Sequence, residues 1–502
     1  MVLGCTSWAG KSLLATALCR WYADQGLAVA PFKGQNMSNN SRVVRAPAAA
    51  AGGGAEERWG AGEIGVAQWL QARAARVGPD VRMNPVLVKP ERDGSQVVVL
   101  GRVDEELSRA AWTRRPPALW GPISTSLDAL LAEHDLVVCE GAGSPAETNL
   151  RDTDLANLRV ARHADAPALL VADIDRGGAF AHLLGTWLLV QEQDRRRLAG
   201  FVLNKFRGDA GLLREAPAEL SRRTGMAHAG VLPMLTHRLP DEDGARDLTD
   251  LGPGPDDVDA PVVAVLRYPS ASNLDELTLL ASVSRLRWVS DPAAVTDADL
   301  VVLPGSKHVR ADLAWLRERG LDRAVRARAE RGGRVLGICG GLQLLGGQLG
   351  PEPVQTSHGG PPADGDVPGL GLLPVRTTYA PTKRTEQVRL RLRLPPGSPW
   401  AALDGQDVQG YDIRHGTTQA EPRAAGDRAP APRPVLGEDH GWCDGAVLGL
   451  ACHGALEEPR VVEALLGRRP TDHLEDTLDA LSAAVDEHLD TDLLRRLTGG
   501  LL

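Results

Sequence analysis

The sequence predicts an α/β protein made of two doubly wound parallel-sheet domains, and three observations lead there. Short runs dense in Val and Leu recur along the 502 residues, at Val137–Glu140, Leu169–Asp173, Phe201–Lys205, Val262–Leu266, Leu300–Pro304 and Arg334–Cys339. Helix-length segments separate them, which is the pattern of a parallel sheet covered on both faces. Two of the strand-to-helix transitions, one at the start of the chain and one in its second half, carry glycine-rich turns with reactive or phosphate-binding residues.

A chain this long exceeds a single hydrophobic core, so several domains are expected. Residues 1–238 read as a phosphate-loop domain and 262–465 as a second α/β domain. Between them, 239–261 is rich in Asp, Pro and Gly and reads as a linker. Residues 466–502 read as a C-terminal helical tail. There Leu474, Leu478, Leu481, Val485 and Leu489 recur at helical spacing, as on a packing helix. Ala46–Arg58 and Glu421–Pro434 are low-complexity segments expected to be loops.

A net charge of −9 argues against general nucleic-acid binding, which needs a basic face. It leaves room for small anionic substrates in a local basic pocket. No apolar run approaches the roughly 18–20 residues that span a bilayer. No basic leader precedes the first glycine loop, so the chain reads as cytoplasmic with no membrane role. Cys5, Cys19, Cys139, Cys339, Cys443 and Cys452 form no C-x-x-C pair, so neither a zinc site nor a disulfide framework is expected.

The first motif is Gly4-Cys5-Thr6-Ser7-Trp8-Ala9-Gly10-Lys11-Ser12. It fits a phosphate loop one residue longer than usual; counted at the usual spacing, Cys5 takes the first-glycine slot. Backbone N–H groups of such a loop point at phosphate oxygens, Lys11 reaches the outer phosphates, and Ser12 ligates magnesium. The residues that follow, Leu13 to Tyr22, read as a helix. Only three residues precede Gly4, so either the first strand is unusually short or the start lies upstream. Glu140 ends a later strand, where ligands of open α/β sheets bind, and is the second candidate magnesium ligand. Asp173 and Asp175 end the next strand in the same way. A helix N-cap is the alternative for each of these acids.

The second motif is Gly337-Ile338-Cys339-Gly340-Gly341-Leu342-Gln343. Its glycines allow a tight strand-to-helix turn that exposes a nucleophile, and a helix N-terminus favours the thiolate. His453 is the candidate base for Cys339. The Pro304-Gly305-Ser306-Lys307 turn, after another strand, offers backbone donors for an oxyanion hole.

These motifs sit among longer strings. They include Pro31 to Ser41 (PFKGQNMSNNS), Glu63 to Gln68 (EIGVAQ), Met83 to Pro90 (MNPVLVKP), Glu140 to Glu147 (EGAGSPAE), Ala172 to Gly178 (ADIDRGG) and Asn204 to Asp209 (NKFRGD). In them the chain resembles the cobyric acid synthase family, from Gly4 to about Pro459. The sister cobyrinic acid a,c-diamide synthases would carry a G-P-D-Y-type string where this chain has Gln35-Asn36-Met37. The resemblance implies an N-terminal domain like dethiobiotin synthetase and a class I-like glutaminase. It implies ATP, Mg2+ and glutamine, and four amidations of corrinoid carboxylates, from adenosylcobyrinic acid a,c-diamide to adenosylcobyric acid. This glutaminase type lacks the usual Glu two residues after the His, and Ala455 stands there. The family's G-Y-E-I-H string appears as Gly410-Tyr411-Asp412-Ile413-Arg414, with His415 shifted by one.

On that resemblance, Gly4, Thr6, Ser7, Gly10, Lys11, Ser12, Lys33, Asn204 and Lys205 are the expected nucleotide-binding residues, and Ser12 and Glu140 the expected metal ligands. Gly305, Gly340 and Gln343 are expected at the oxyanion and glutamine site. Gln35, Asn36, Lys89, Asp173, Asp175 and Arg207 are expected at the substrate, with surface charge the alternative for Lys89 and Arg207. Activation by ATP would give an acyl phosphate that ammonia attacks, and ammonia would need a sheltered route from the glutaminase. The alternatives are the sister diamide synthase, a related amidoligase, or a non-enzymatic nucleotide switch. Acidic residues on the tail helix (Glu475, Asp476, Asp479, Asp486, Glu487) fit poorly with membrane attachment by such a switch.

Overall fold

The computed structural model describes residues 1–47, 59–91, 94–235, 239, 257–351, 365–421, 433–471 and 474–502. Most of the expected 239–261 linker, and the greater part of both low-complexity segments, lie outside the described residues. The chain divides into two compact units. Unit 1 is Met1–Ser38, Val44–Leu239 and His473–Leu502; unit 2 is Asn39–Val43 and Pro240–Asp472. Two segments depart from the linear division expected from the sequence. The last thirty or so residues are not a separate tail but part of unit 1, and a short piece of the N-terminal half folds into unit 2.

In unit 1, β1 (Val2–Gly4), β2 (Val29–Phe32), β3 (Leu136–Cys139), β4 (Ala168–Asp173), β5 (Leu198–Phe206) and β6 (Ala227–Pro233) are all parallel. The pairs run β2-β3 and β1-β4-β5-β6, and a bridge from Val2 to Glu140 joins the two sets. Every residue of β4 is buried, as a strand covered on both faces requires. β1 is short, yet it is the strand on which the order reverses. The crevice at its C-terminal end is therefore the switch point where open α/β sheets bind ligands.

Helix α1 (Lys11–Asp24) packs along this sheet. The later helix Leu474–His488 lies against it, and Leu478, Leu481 and Val485 join one core with Leu14, Leu18 and Trp21. Acids of that helix anchor the contact. Asp479 accepts from Arg20 at 2.6 Å, and Asp486 accepts from Trp21 Nε1 at 2.6 Å. The predicted packing helix thus has a defined partner. A smaller sheet was not expected from the sequence; in it Gln35–Met37 runs parallel to Val86–Glu91, which continues antiparallel into Gly94–Val99 and Arg102–Asp104.

In unit 2, β7 (Val262–Leu266), β8 (Arg285–Val289), β9 (Leu300–Leu303), β10 (Arg334–Ile338), β11 (Arg433–Leu436), β12 (Gly441–Asp444) and β13 (Val447–Leu450) form one sheet. Its order is β8-β7-β9-β10-β13-β12-β11. β7 to β10 and β13 are parallel; β12 and β11 add an antiparallel edge. A long antiparallel hairpin, Leu373–Arg391 with Asp407–Ala420, stands beside it. Of the parallel strands, β7, β9 and β10 were read from the sequence, and β8 and β13 were not. The hairpin and the antiparallel edge were not, because their sequences mix polar and apolar residues without the dense Val/Leu runs.

Candidate active site

In each unit a candidate site lies at the C-terminal end of the parallel strands. In unit 1 the loop from Gly4 to Ser12 links β1 to α1. Gly10 turns it with φ 99°, and a Cβ there would lie 1.9 Å from Asn204 Nδ2. Glycine is required both for the left-handed backbone and for the close approach. Asn204 Nδ2 donates to Ala9 O at 2.9 Å, and Lys205 Nζ donates to Trp8 O at 2.7 Å. The end of β5 therefore braces the loop. Lys11 Nζ reaches Thr6 O at 3.3 Å.

Opposite the loop, Glu140 is buried and receives three donors. Ser12 Oγ lies at 2.7 Å, Lys33 Nζ at 2.9 Å and Gln71 Nε2 at 2.5 Å. Burial alone would raise the Glu140 pKa. The Lys33 charge, with the hydrogen bonds from Lys33, Ser12 and Gln71, reverses this and holds the carboxyl below its usual range. A hydroxyl and an ionised carboxylate side by side are hard oxygen donors, which suits magnesium. Gln71 is one of the residues the sequence reading missed. It sits in a helix, Val66–Ala74, whose pattern reads as ordinary packing.

The other residues expected at the substrate divide into two groups. Asp173 is buried and accepts from Lys205 Nζ at 2.9 Å, which brings it to the phosphate loop. Arg207 and Asp175 pair with each other at 2.9 Å on the surface. Lys89 is buried against Glu63, and Asn36 donates to Gln68 Oε1 at 2.9 Å, with Gln35 beside it in the small sheet. Lys89 is therefore neither a surface charge nor an isolated cation.

In unit 2, Cys339 follows β10 and caps the helix Gly340–Leu345, with φ 51° and ψ −107°. A non-glycine residue in that conformation is strained, as expected of a nucleophile elbow. Added Cβ atoms at Gly340 and Gly341 would lie 2.5 Å from Ser306 N and 1.9 Å from Leu303 O, so both glycines are needed for packing against the preceding strand. The thiol donates to Ile413 O at 3.7 Å. His453 Nδ1 lies 2.7 Å from Glu276 Oε1. Glu276 Oε2 also accepts from Gly454 N at 3.2 Å. Burial opposes a charged imidazole, but the Glu276 carboxylate and the Cys339 thiolate outweigh it and raise the His453 pKa well above its ordinary value. Gly305 lies against the ring, since a Cβ there would be 3.0 Å from His453 Cε1. Gln343 is buried in the helix behind Cys339 and accepts from Tyr379 OH at 3.3 Å.

Two family models match the chain. Residues 1–242 fit the CobQ/CobB/MinD/ParA nucleotide binding domain, and residues 262–461 fit the CobB/CobQ-like glutamine amidotransferase domain. A cobyric acid synthase of Paracidovorax citrulli is 53% identical over 98% of this chain and 96% of its own. One from Variovorax paradoxus is 52% identical, over 99% and 98%. The chain belongs to the cobyric acid synthase family. It is a ligase with a nucleotide-binding domain and a glutamine amidotransferase domain, of the family that carries out amidation in cobalamin biosynthesis. No helix among the described residues is long and apolar enough to cross a membrane.

Against the family's pattern, the altered Asp412–His415 string forms a local network of its own. Asp412 and Arg414 point to the same side of their strand, and Arg414 Nε lies 3.1 Å from Asp412 Oδ2. Arg384 and His440 approach the same carboxylate, each at 3.4 Å. Glu386, Asp412 and His440 lie close enough together to hold a metal ion, but the two guanidinium groups already supply the positive charge there. In unit 2, Glu276 is a residue of the candidate site that the sequence reading missed. Its only sequence signal was a carboxylate pair, Asp275-Glu276, and nothing tied that pair to His453.

Proposed function

We propose that this chain converts adenosylcobyrinic acid a,c-diamide to adenosylcobyric acid, using ATP, Mg2+ and glutamine, through acyl-phosphate intermediates. The observation that carries the reading is the pairing, in one chain, of an elbow thiol close to a His453 held by Glu276 with a phosphate loop facing a buried carboxylate.

The Cys339 thiolate adds to the glutamine side-chain carbonyl. The His453 imidazolium gives its proton to the departing nitrogen, ammonia leaves, and a thioester remains. His453 then takes a proton from water, which hydrolyses the thioester to glutamate and frees the thiol. Glu276 holds the imidazole by Nδ1 and leaves Nε2 for the thiol. Backbone N–H groups near Gly305 and Gly340 serve the oxyanion. Gln343 serves the glutamine site.

In unit 1, Gly4, Thr6, Ser7, Gly10 and Lys11 hold the phosphates. Ser12 and Glu140 would hold magnesium, which would supply charge neutralisation for phosphoryl transfer. A corrinoid carboxylate oxygen attacks the γ-phosphorus and ADP departs. Lys33 and Lys205 offset the charge that builds on the phosphoryl group. Ammonia then attacks the acyl carbon, and phosphate leaves with the former carboxylate oxygen. Gln35, Asn36 and Asp173 are assigned to the corrinoid. Lys89 belongs there only if its pair with Glu63 opens, and the Asp175–Arg207 pair is the outermost candidate.

The test is an amidation assay with adenosylcobyrinic acid a,c-diamide labelled with 18O in the carboxylates, supplied with ATP and Mg2+ and with either glutamine or ammonium. Amide product with 18O in the released phosphate supports the reading. Phosphate without label refutes the acyl phosphate, and no product from either nitrogen source refutes the substrate.

A further inference from the structure

Arg42 stands in the glutaminase unit although it comes 233 positions before the Asp275 it binds. We propose that Arg42 is a positioning residue for glutamine hydrolysis, holding the carboxylate side of the His453 site through Asp275, Glu457 and Tyr411. The inference rests on the glutaminase reading above and assigns part of that machinery to a segment outside the matched amidotransferase domain.

The segment is built into the site at several points. Asn40 Oδ1 accepts from Asn273 N at 3.0 Å, and Ser41 N donates back to Asn273 Oδ1 at 3.2 Å. That reciprocal pair fixes Asn273, whose left-handed backbone (φ 53°) starts the short helix Leu274–Leu277. Asp275 and Glu276 both lie on that helix. Lys307 Nζ donates to Asn39 Oδ1, and Gln387 Nε2 donates to Val43 O at 3.0 Å. The segment therefore braces the element that presents Glu276 to His453.

The Arg42 side chain is 4% exposed. Its guanidinium donates to Asp275 Oδ2, to Glu457 Oε1 at 2.6 Å and to Tyr411 OH at 2.7 Å. It also lies 5.1 Å from the centroid of the Tyr411 ring. Tyr411 in turn stacks on His453, with centroids 5.4 Å apart and planes 21° apart, and the two residues exchange backbone hydrogen bonds. One cation thus supports the imidazole from two sides, through the stacked phenol and through the helix that bears Glu276.

Charge gives the arrangement its chemical effect. Asp275, Glu276 and Glu457 crowd together, and the Cys339 thiolate adds a further negative charge when it forms. Arg42 and the His453 imidazolium face them. Burial and the two neighbouring carboxylates push Glu457 above its ordinary value even with Arg42 present. Removing Arg42 would let Glu457 take up a proton more readily and would loosen the helix that presents Glu276 to His453.

The experiment uses the full-length chain with Arg42→Met and Arg42→Lys, assayed for amidation with glutamine and with ammonium, and for glutamine hydrolysis across pH. For Arg42→Met, kcat on glutamine should fall about 10²-fold, as for a displaced catalytic group, while KM for glutamine moves less than about threefold. Ammonium-dependent amidation should stay at the wild-type rate, and the acid limb of the hydrolysis profile should move to higher pH. Arg42→Lys keeps the charge without the fork, so it should recover part of kcat and restore the acid limb. A wild-type kcat and pH profile for Arg42→Met would overturn the proposal. So would equal losses with both nitrogen sources, since that marks a general folding role. Should Arg42→Met not fold, Arg42→Lys decides: a loss confined to glutamine supports the role, and no loss or an equal loss refutes it. Absence of glutamine hydrolysis in the wild type would instead refute the glutaminase reading itself.

Discussion

Glu276 Oε1 lies 2.7 Å from Nδ1 of His453, and both side chains are only 1% exposed. The acid comes from a short helix 177 positions before the histidine, while Ala455 occupies the place two residues after it. A catalytic imidazole needs a partner that fixes its tautomer and supports its charged form, and that partner can come from any element that packs there. Glu276→Gln keeps the shape and removes the charge. We expect glutamine hydrolysis to fall roughly 10²–10⁴-fold, the scale of an acid–base contribution. Ammonium-dependent amidation should be unchanged, and comparing the two nitrogen sources in one preparation measures this.

The same pair sets a pH dependence of stability. The His453 pKa is raised in the folded chain, so the pair's contribution is full below the unfolded imidazole value of about 6.5 and is lost as pH rises through the folded value. Wild type should therefore exceed Glu276→Gln in stability most at low pH within the folded range. The gap should narrow as pH rises above about 6.5. Thermal unfolding of both proteins over a pH series reads this directly, and a gap that widens with pH would contradict the assignment.

Glu140 collects Ser12, Lys33 and Gln71 in one buried cluster. Glu140→Gln removes the charge that the Lys33 ammonium balances and the oxygen that would bind magnesium. Amidation should fall about 10²–10³-fold with either nitrogen source, the scale seen when one electrostatic contact is lost. Glutamine hydrolysis measured by itself should persist. Loss confined to the glutamine-driven reaction would show that Glu140 does not serve the nucleotide.

The buried Asp412–Arg414 pair predicts a coupled response. Arg414→Ala leaves a fully buried carboxylate with fewer partners and should cost about 3–5 kcal/mol in denaturant unfolding, the usual result of breaking a buried pair. Asp412→Glu together with Arg414→His restores the family string. That double variant should be more stable than either single one, because side-chain length and charge change together on one face of the strand. Additive single effects would mean that the two residues do not compensate.

The legible part of the fold was its parallel framework. Val and Leu runs such as Leu169–Val171 and Val262–Leu266 must be buried on both faces, and that demand is written locally in residue type. Cys339 and the Gly10-Lys11-Ser12 loop were equally legible, because their turns need glycine at set positions beside the reactive side chain. Glu276, Gln71 and Arg42 were not. A carboxylate, an amide and a guanidinium are common surface residues, and nothing in their neighbours distinguishes a buried partner from a solvated one. The split of the chain was also hidden: residues 39–43 look continuous with the strings around them, yet their hydrogen bonds go to Asn273 and Asp275.

By itself, then, the sequence determined two α/β units, a phosphate loop and an elbow thiol, since each depends on the order of a few adjacent residues. Only the tertiary structure decided which acid holds His453, which amide and lysine share Glu140, and where Arg42 finds its carboxylates. Those pairings join groups far apart in the chain. They exist because a buried charge must find a partner wherever folding brings one within hydrogen-bond reach.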